Sequence, residues 1–112
     1  MKAETTQMIE DLLDAAGYGI GYWASTVSHD VEARTYTVTE LEPEDEAKAT
    51  QTVTYSQLRT AMVQLAAHDA RLRPDLKASI TSAIRNPEDA DIDSEAADCI
   101  VQQALFGKVV YG

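Results

Sequence analysis

The apolar residues of this chain change their spacing twice, and that change most strongly constrains the fold. They follow a helical period up to Ala16, and Thr, Val, Tyr and Trp typical of strands dominate residues 22–28 and 35–41. After Thr54 the helical period returns. We therefore predict an α+β fold, with an N-terminal helix, a two- or three-stranded antiparallel sheet, and three further helices packed on one face of it.

The boundaries of the first elements follow from local signals. The first helix should cover about residues 6–16 and end at Gly17, because the three glycines in residues 17–21 disfavour a helix. Two strands should follow at residues 22–28 and 35–41, with a short third strand at 50–53. An exposed acidic loop, residues 42–46, separates the second and third strands.

The later helices carry clearer signals. Thr54 and Gln57 match a capping box, and Pro74 should restart the chain in a new helix. The last helix should begin at Asp91, Asp93 or Ser94 and end at Gly107, followed by a short terminal strand, residues 108–112. The expected core consists of Leu12, Leu13, Val38, Leu58, Leu65, Ile80, Ile100, Val101 and Leu105.

Length and composition favour one cytoplasmic domain, residues 1–112. The single Cys99 excludes an internal disulfide and suits a reducing compartment. Lys2 is followed by acids, which argues against a signal peptide. No apolar run approaches the ~20 residues that cross a bilayer, so no membrane partner is expected.

Charge is distributed unevenly along the chain. The formal net charge is −10, and acids dominate both the first 46 residues and the last 25, while basic residues dominate the segment between them. Such a surface repels nucleic acid over most of its area and attracts basic protein surfaces. We expect no direct binding of nucleic acid.

Several motifs suggest chemistry but lack essential parts. The acids from Asp89 resemble an EF-hand loop, yet Ser94 stands in place of the required Gly and Ile100 in place of the bidentate Glu. The glycines of residues 17–21 follow a helix instead of opening one, which is the wrong geometry for phosphate. Cys99 is expected to be a small buried hydrophobe. His29 and His68 have no paired nucleophile, so we expect no enzyme activity, metal or cofactor.

The aromatic residues beside the glycine turn leave two interpretations open. Tyr18, Tyr22 and Trp23 could belong to the core, or they could anchor an interface, where Tyr and Trp are enriched.

Two segments together resemble a known group. AGYGIGYWA at residues 16–24 and ALFGKVVYG at residues 104–112 are similar to the opening and the ending of small proteins from bacteriophages and actinobacterial prophages. The resemblance implies an accessory protein acting inside a bacterial cell. Small acidic phage proteins often bind and inhibit host machinery, including restriction and CRISPR systems.

The leading hypothesis is therefore a non-enzymatic binder that inhibits a host protein, which could be a nucleic-acid-binding defence component. Its carboxylates would contact a basic surface of that protein. The alternative is a self-assembling structural protein, such as a homodimer, joined by oppositely charged regions. The candidate contact residues are Glu40, Glu42, Glu44, Asp45, Glu46, Glu88, Asp89, Asp91, Asp93 and Tyr18.

Overall fold

The structure, a computed structural model, describes residues 1–67 and 70–112. It confirms the predicted α+β class and the order of elements. These are α1 (Ala3–Gly19), β1 (Ala24–Asp30), β2 (Thr35–Glu40), β3 (Thr50–Thr54), α2 (Tyr55–Ala66), α3 (Pro74–Arg85) and α4 (Ser94–Phe106), with 3-10 turns at Glu46–Lys48 and Pro87–Asp89. Within the described ranges, no helix is long and apolar enough to cross a membrane.

The three strands form an antiparallel sheet in the order β1-β2-β3. Tyr36 pairs with Val53, and both side chains are buried together with Val38 on the face that meets the core. On the opposite face, hydroxyl pairs join Thr37 to Thr52 and Thr39 to Thr50 at 2.8 and 2.9 Å. The alternation along β2 thus separates an apolar face from a threonine face.

The predicted helix signals after the sheet are confirmed. Thr54 and Gln57 form the reciprocal capping box that starts α2. Of the three candidates for the cap of α4, Asp93 performs this role, with its carboxylate accepting from Ala96 N at 2.8 Å. Gly107 ends α4 in the left-handed conformation at φ 74°.

The predicted end of the first helix at Gly17 is wrong. Helix α1 continues through Gly17 to Gly19, and Ile20 is its C-cap. The continuation brings Gly19 so close to α4 that a Cβ atom there would lie 2.5 Å from Ser94 O. Packing against α4 therefore outweighs the low helix propensity of glycine.

One core contains every predicted core residue except Leu105, which is only partly buried and packs at its edge. Trp23 belongs to this core with 2 % of its surface exposed, while Tyr18 is 91 % exposed. The first strand starts at Ala24, not at residue 22, because Trp23 N and Ala24 N both donate to Ile20 O in a turn. Trp23 is therefore a core residue, whereas Tyr22, which is 54 % exposed, and Tyr18 lie outside the core.

Candidate functional site

An open groove of about 480 Å³ lies between the segment after β2 and the C-terminal end of the chain. Four carboxylates line it, together with two lysines and an apolar wall. We call it the acidic groove; its lining is Glu40, Glu42, Glu44, Asp45, Lys48, Gln51, Phe106, Lys108, Val110 and Tyr111. Four of the predicted contact residues are therefore brought together at one site, and Glu46 is exposed in the 3-10 turn beside it.

Backbone hydrogen bonds hold the acidic loop, residues 42–46, at both ends; we call this loop the acidic segment. Glu40 N donates to Ala49 O at 2.9 Å, and Leu41 N donates to Trp23 O at 2.8 Å. The Asp45 carboxylate accepts from Ala47 N at 3.0 Å and caps the short turn. The segment therefore presents its charges on a fixed backbone, which lowers the entropic cost of binding.

Tyr111 forms the opposite wall of the groove. Its ring stacks on Trp23 with the centroids 5.3 Å apart and the planes 6° from parallel. Its hydroxyl donates to Glu40 Oε2 at 2.5 Å. This hydrogen bond, followed by burial, raises the pKa of Tyr111 to about 12. The tail and the acidic segment are thus joined directly across the groove.

Gln102 holds the tail in place, and the predicted terminal strand is absent from residues 108–112. The Gln102 side chain is fully buried, and its Oε1 accepts from Val110 N at 2.8 Å and Tyr111 N at 2.7 Å. Its Nε2 donates to Asp98 Oδ1 at 2.8 Å and to Tyr111 O at 3.2 Å. One side-chain amide thereby satisfies the tail backbone that a neighbouring strand would otherwise satisfy.

Asp98 completes this network beneath the groove. Its buried carboxylate accepts from Trp23 Nε1 at 2.8 Å and from the Tyr22 hydroxyl at 2.5 Å. Burial and then the hydrogen bond to Asp98 raise the pKa of Tyr22 to about 12. Asp98 and Gln102 therefore connect the aromatic turn, α4 and the tail. Sequence reasoning missed both residues; the available signal was a polar pair at i, i+4 beside the apolar stripe of the last helix.

Alkaline pH should destabilise the protein. The pKa values of Tyr22, Tyr36, Tyr55 and Tyr111 are each raised from 10.0 to about 12. A pKa raised by folding gives stability that is complete below the unfolded value and is lost as pH rises through the folded value. The free energy of unfolding in urea should therefore fall between about pH 10 and 12.

Tyr36 offers a matched variant for this measurement. Its buried hydroxyl has no hydrogen-bond partner among residues 1–67 and 70–112, and burial is the main cause of its raised pKa. Tyr36→Phe removes one of the four groups without breaking a hydrogen bond, so it should lose less stability than the wild type above pH 10. Equal losses in the two proteins would contradict the prediction.

The other predicted acidic contact residues precede α4, at the opposite end of this helix from the acidic groove, and we call them the second acidic surface: Glu88, Asp89, Asp91 and Asp93. Helix α4 has 13 residues and is about 20 Å long at ~1.5 Å per residue, which separates this surface from the acidic groove. Asp93 caps the helix, and Glu95 accepts from Arg73 Nη1 at 2.8 Å. Glu88, Asp89 and Asp91 are exposed, and Tyr18 is exposed on α1 outside the acidic groove lining.

The remaining titratable groups form smaller clusters. In the described part of the chain, no three His, Cys, Asp or Glu residues gather as a metal site. Cys99 is buried as predicted, and burial raises the pKa of its thiol to about 11. His29 Nε2 lies 2.5 Å from the Tyr55 hydroxyl, which donates to Glu10 at 3.3 Å. His68 lies outside the described residues.

Comparison of the chain with protein-family models, with curated proteins and with solved structures found no significant match.

Proposed function

We propose that this chain is a non-enzymatic, phage-type accessory protein that binds and inhibits a host protein in the bacterial cytoplasm. The acidic groove is the proposed contact, and the observation that supports it is the pairing of four carboxylates with an aromatic wall. Such a groove suits a basic surface of the host protein, such as one that normally binds nucleic acid.

The chemistry of Arg and Lys explains this choice of partner. Both side chains have an apolar stem and a charged end, so the stem can pack on Phe106 and Tyr111 while the charge meets carboxylates. Glu40 already accepts from Tyr111 and Asp45 from Ala47 N, which leaves Glu42 and Glu44 as the main acceptors for a partner. The four carboxylates outnumber Lys48 and Lys108, so the groove remains net negative.

Neutralising the acidic segment should remove the binding. The variant carries Glu42→Gln, Glu44→Gln, Asp45→Asn and Glu46→Gln, which removes all four carboxylates of the acidic segment. Asparagine at position 45 keeps a side-chain oxygen that can cap the 3-10 turn. We expect the variant to fold normally and to lose the host proteins that the wild type captures from a bacterial lysate, as measured by quantitative mass spectrometry. Complementary charge acts mainly on association rate, so wild-type binding should slow from ~0.1 to ~1 M salt as the Debye length falls to ~3 Å.

A second variant controls for net charge. Glu4→Gln, Asp11→Asn, Asp14→Asn and Glu32→Gln also remove four negative charges from the total of −10, but from exposed positions that are neither in the acidic groove nor among the predicted contact residues. This control should capture the same proteins as the wild type. If the groove variant captures them equally well, the contact lies elsewhere; if both variants lose them, total charge and not the groove is responsible.

A further inference from the structure

A second groove of similar size, about 470 Å³, carries the opposite charge. It lies where the starts of α1 and α2 meet the end of α3. We call it the basic groove; its lining is Met1, Lys2, Thr5, Ser56, Arg59, Ile84, Arg85 and Pro87. Three cations and no carboxylate line this groove on a chain whose net charge is −10.

The three cations of the basic groove are not neutralised within the described ranges. Arg73, which lies outside the basic groove, is by contrast ion-paired with Asp75 at 2.6 Å and with Glu95 at 2.8 Å. Lys2, Arg59 and Arg85 make no ion pair with residues 1–67 or 70–112, and all three are exposed. A local cluster of unneutralised cations attracts an anionic partner.

We propose that the basic groove is a docking site for the acidic segment, residues 42–46, of a second copy of this chain. The carboxylates of that segment would meet Lys2, Arg59 and Arg85. Leu41, which is 51 % exposed beside the segment, would contact the apolar wall formed by Met1, Ile84 and Pro87. Charge and apolar surface are therefore complementary on the two sides of the contact.

The contact has to form between two copies, because strand β3 separates the acidic groove from the basic groove within one chain. Lys48 and Gln51 line the acidic groove near the start of β3, whereas Ser56 and Arg59 line the basic groove just beyond its end. At ~3.3 Å per residue, this strand of five residues holds the two sites about 17 Å apart. The contact is heterologous, since different surfaces meet, and it gives a ring if the rotation closes and a chain of copies if it does not.

Docking would occupy the segment that lines the acidic groove. If the proposed function is correct, self-association therefore competes with the host protein for the same carboxylates. The self-contact itself does not depend on a host protein, so it is tested on the purified chain alone.

Analytical ultracentrifugation of charge-reversed variants tests the contact. Arg59→Glu with Arg85→Glu reverses the basic groove, and Glu42→Lys with Glu44→Lys reverses the acidic segment. The wild type should associate as its concentration rises, and each variant alone should be monomeric, with self-association weakened at least ~10-fold. An equimolar mixture of the two variants should associate again, because each reversed surface then meets an opposite charge on the other variant.

Recovery in the mixture also shows that both variants are folded. A wild type that remains monomeric up to ~1 mM would overturn the proposal. Variants that associate as the wild type does, or a mixture that stays monomeric when the wild type associates, would overturn it as well. The basic-groove variant retains the acidic segment, so its capture of host proteins tests the proposed function separately.

Discussion

Replacing Gln102 with leucine should release the C-terminal tail. Leucine fills a similar volume but accepts no hydrogen bond, so Val110 N and Tyr111 N lose the acceptor that holds them at 2.8 and 2.7 Å. The buried Asp98 carboxylate also loses one of its donors. Leaving a buried polar group unsatisfied costs about 1–3 kcal/mol, and we expect the free energy of unfolding to fall by about 2–3 kcal/mol.

Two measurements report on the tail itself. Trp23 is the only tryptophan and stacks on Tyr111, so its fluorescence should shift to the red when the tail leaves. Trypsin should cleave after Lys108 faster in the variant than in the wild type. Gln103→Leu is the matched control, because the hydrogen bonds of the neighbouring Gln103 to Gln64 and to Gly107 O are exposed. Equal fluorescence and cleavage in all three proteins would show that Gln102 does not hold the tail.

The same substitution connects the network to the proposed function. Val110 and Tyr111 form part of the wall of the acidic groove, and Tyr111 positions Glu40 through its hydroxyl. Gln102 is fully buried and does not line the acidic groove, so its role there would be that of a positioning residue. Gln102→Leu should therefore weaken capture of a basic host protein although all four carboxylates of the groove remain.

The sequence predicted the elements whose signals lie within a few residues. The capping box of Thr54 and Gln57, the restart at Pro74 and the left-handed Gly107 are local features, and each occurs in the structure as predicted. Along β2, Tyr36 and Val38 alternate with threonines, and this period of two places both on the buried face. Local geometry decides such features, so a single sequence contains enough information to place them.

The errors arose where distant parts of the chain decide the outcome. Glycine propensity predicted an end at Gly17, whereas packing of Gly19 on Ser94 extends α1. An apolar tail suggested a strand, but the Gln102 side chain supplies its backbone partners instead. The residues around each position do not reveal its partner, because each contact depends on how α4 packs.

The candidate site shows the same division. Composition predicted an exposed acidic segment, and the structure places it as a loop between β2 and β3. Composition could not predict the opposite wall, since Tyr111 and Glu40 meet across 71 positions of sequence. The groove is a product of the tertiary fold, and Asp98 and Gln102 became candidates only once that fold was known.

Two glycine substitutions in α1 should have opposite effects on stability. At Gly17 a Cβ atom would meet nothing within 4 Å, so Gly17→Ala should stabilise the protein by about 0.5–1 kcal/mol through helix propensity. At Gly19 the added atom would lie 2.5 Å from Ser94 O, a backbone atom beside the cap of α4. Gly19→Ala must push the two helices apart, and we expect a loss of about 1–3 kcal/mol, as for overpacked cores.

Chemical denaturation of both variants separates packing from propensity. The two glycines lie in the same helix, two positions apart, so propensity alone predicts a gain from either substitution. The two positions differ in that a Cβ atom at Gly19 would meet Ser94, whereas one at Gly17 would meet nothing within 4 Å. If Gly19→Ala stabilises as much as Gly17→Ala, the start of α4 yields to the added methyl group, and the close approach of the two helices is not what extends α1 beyond Gly17.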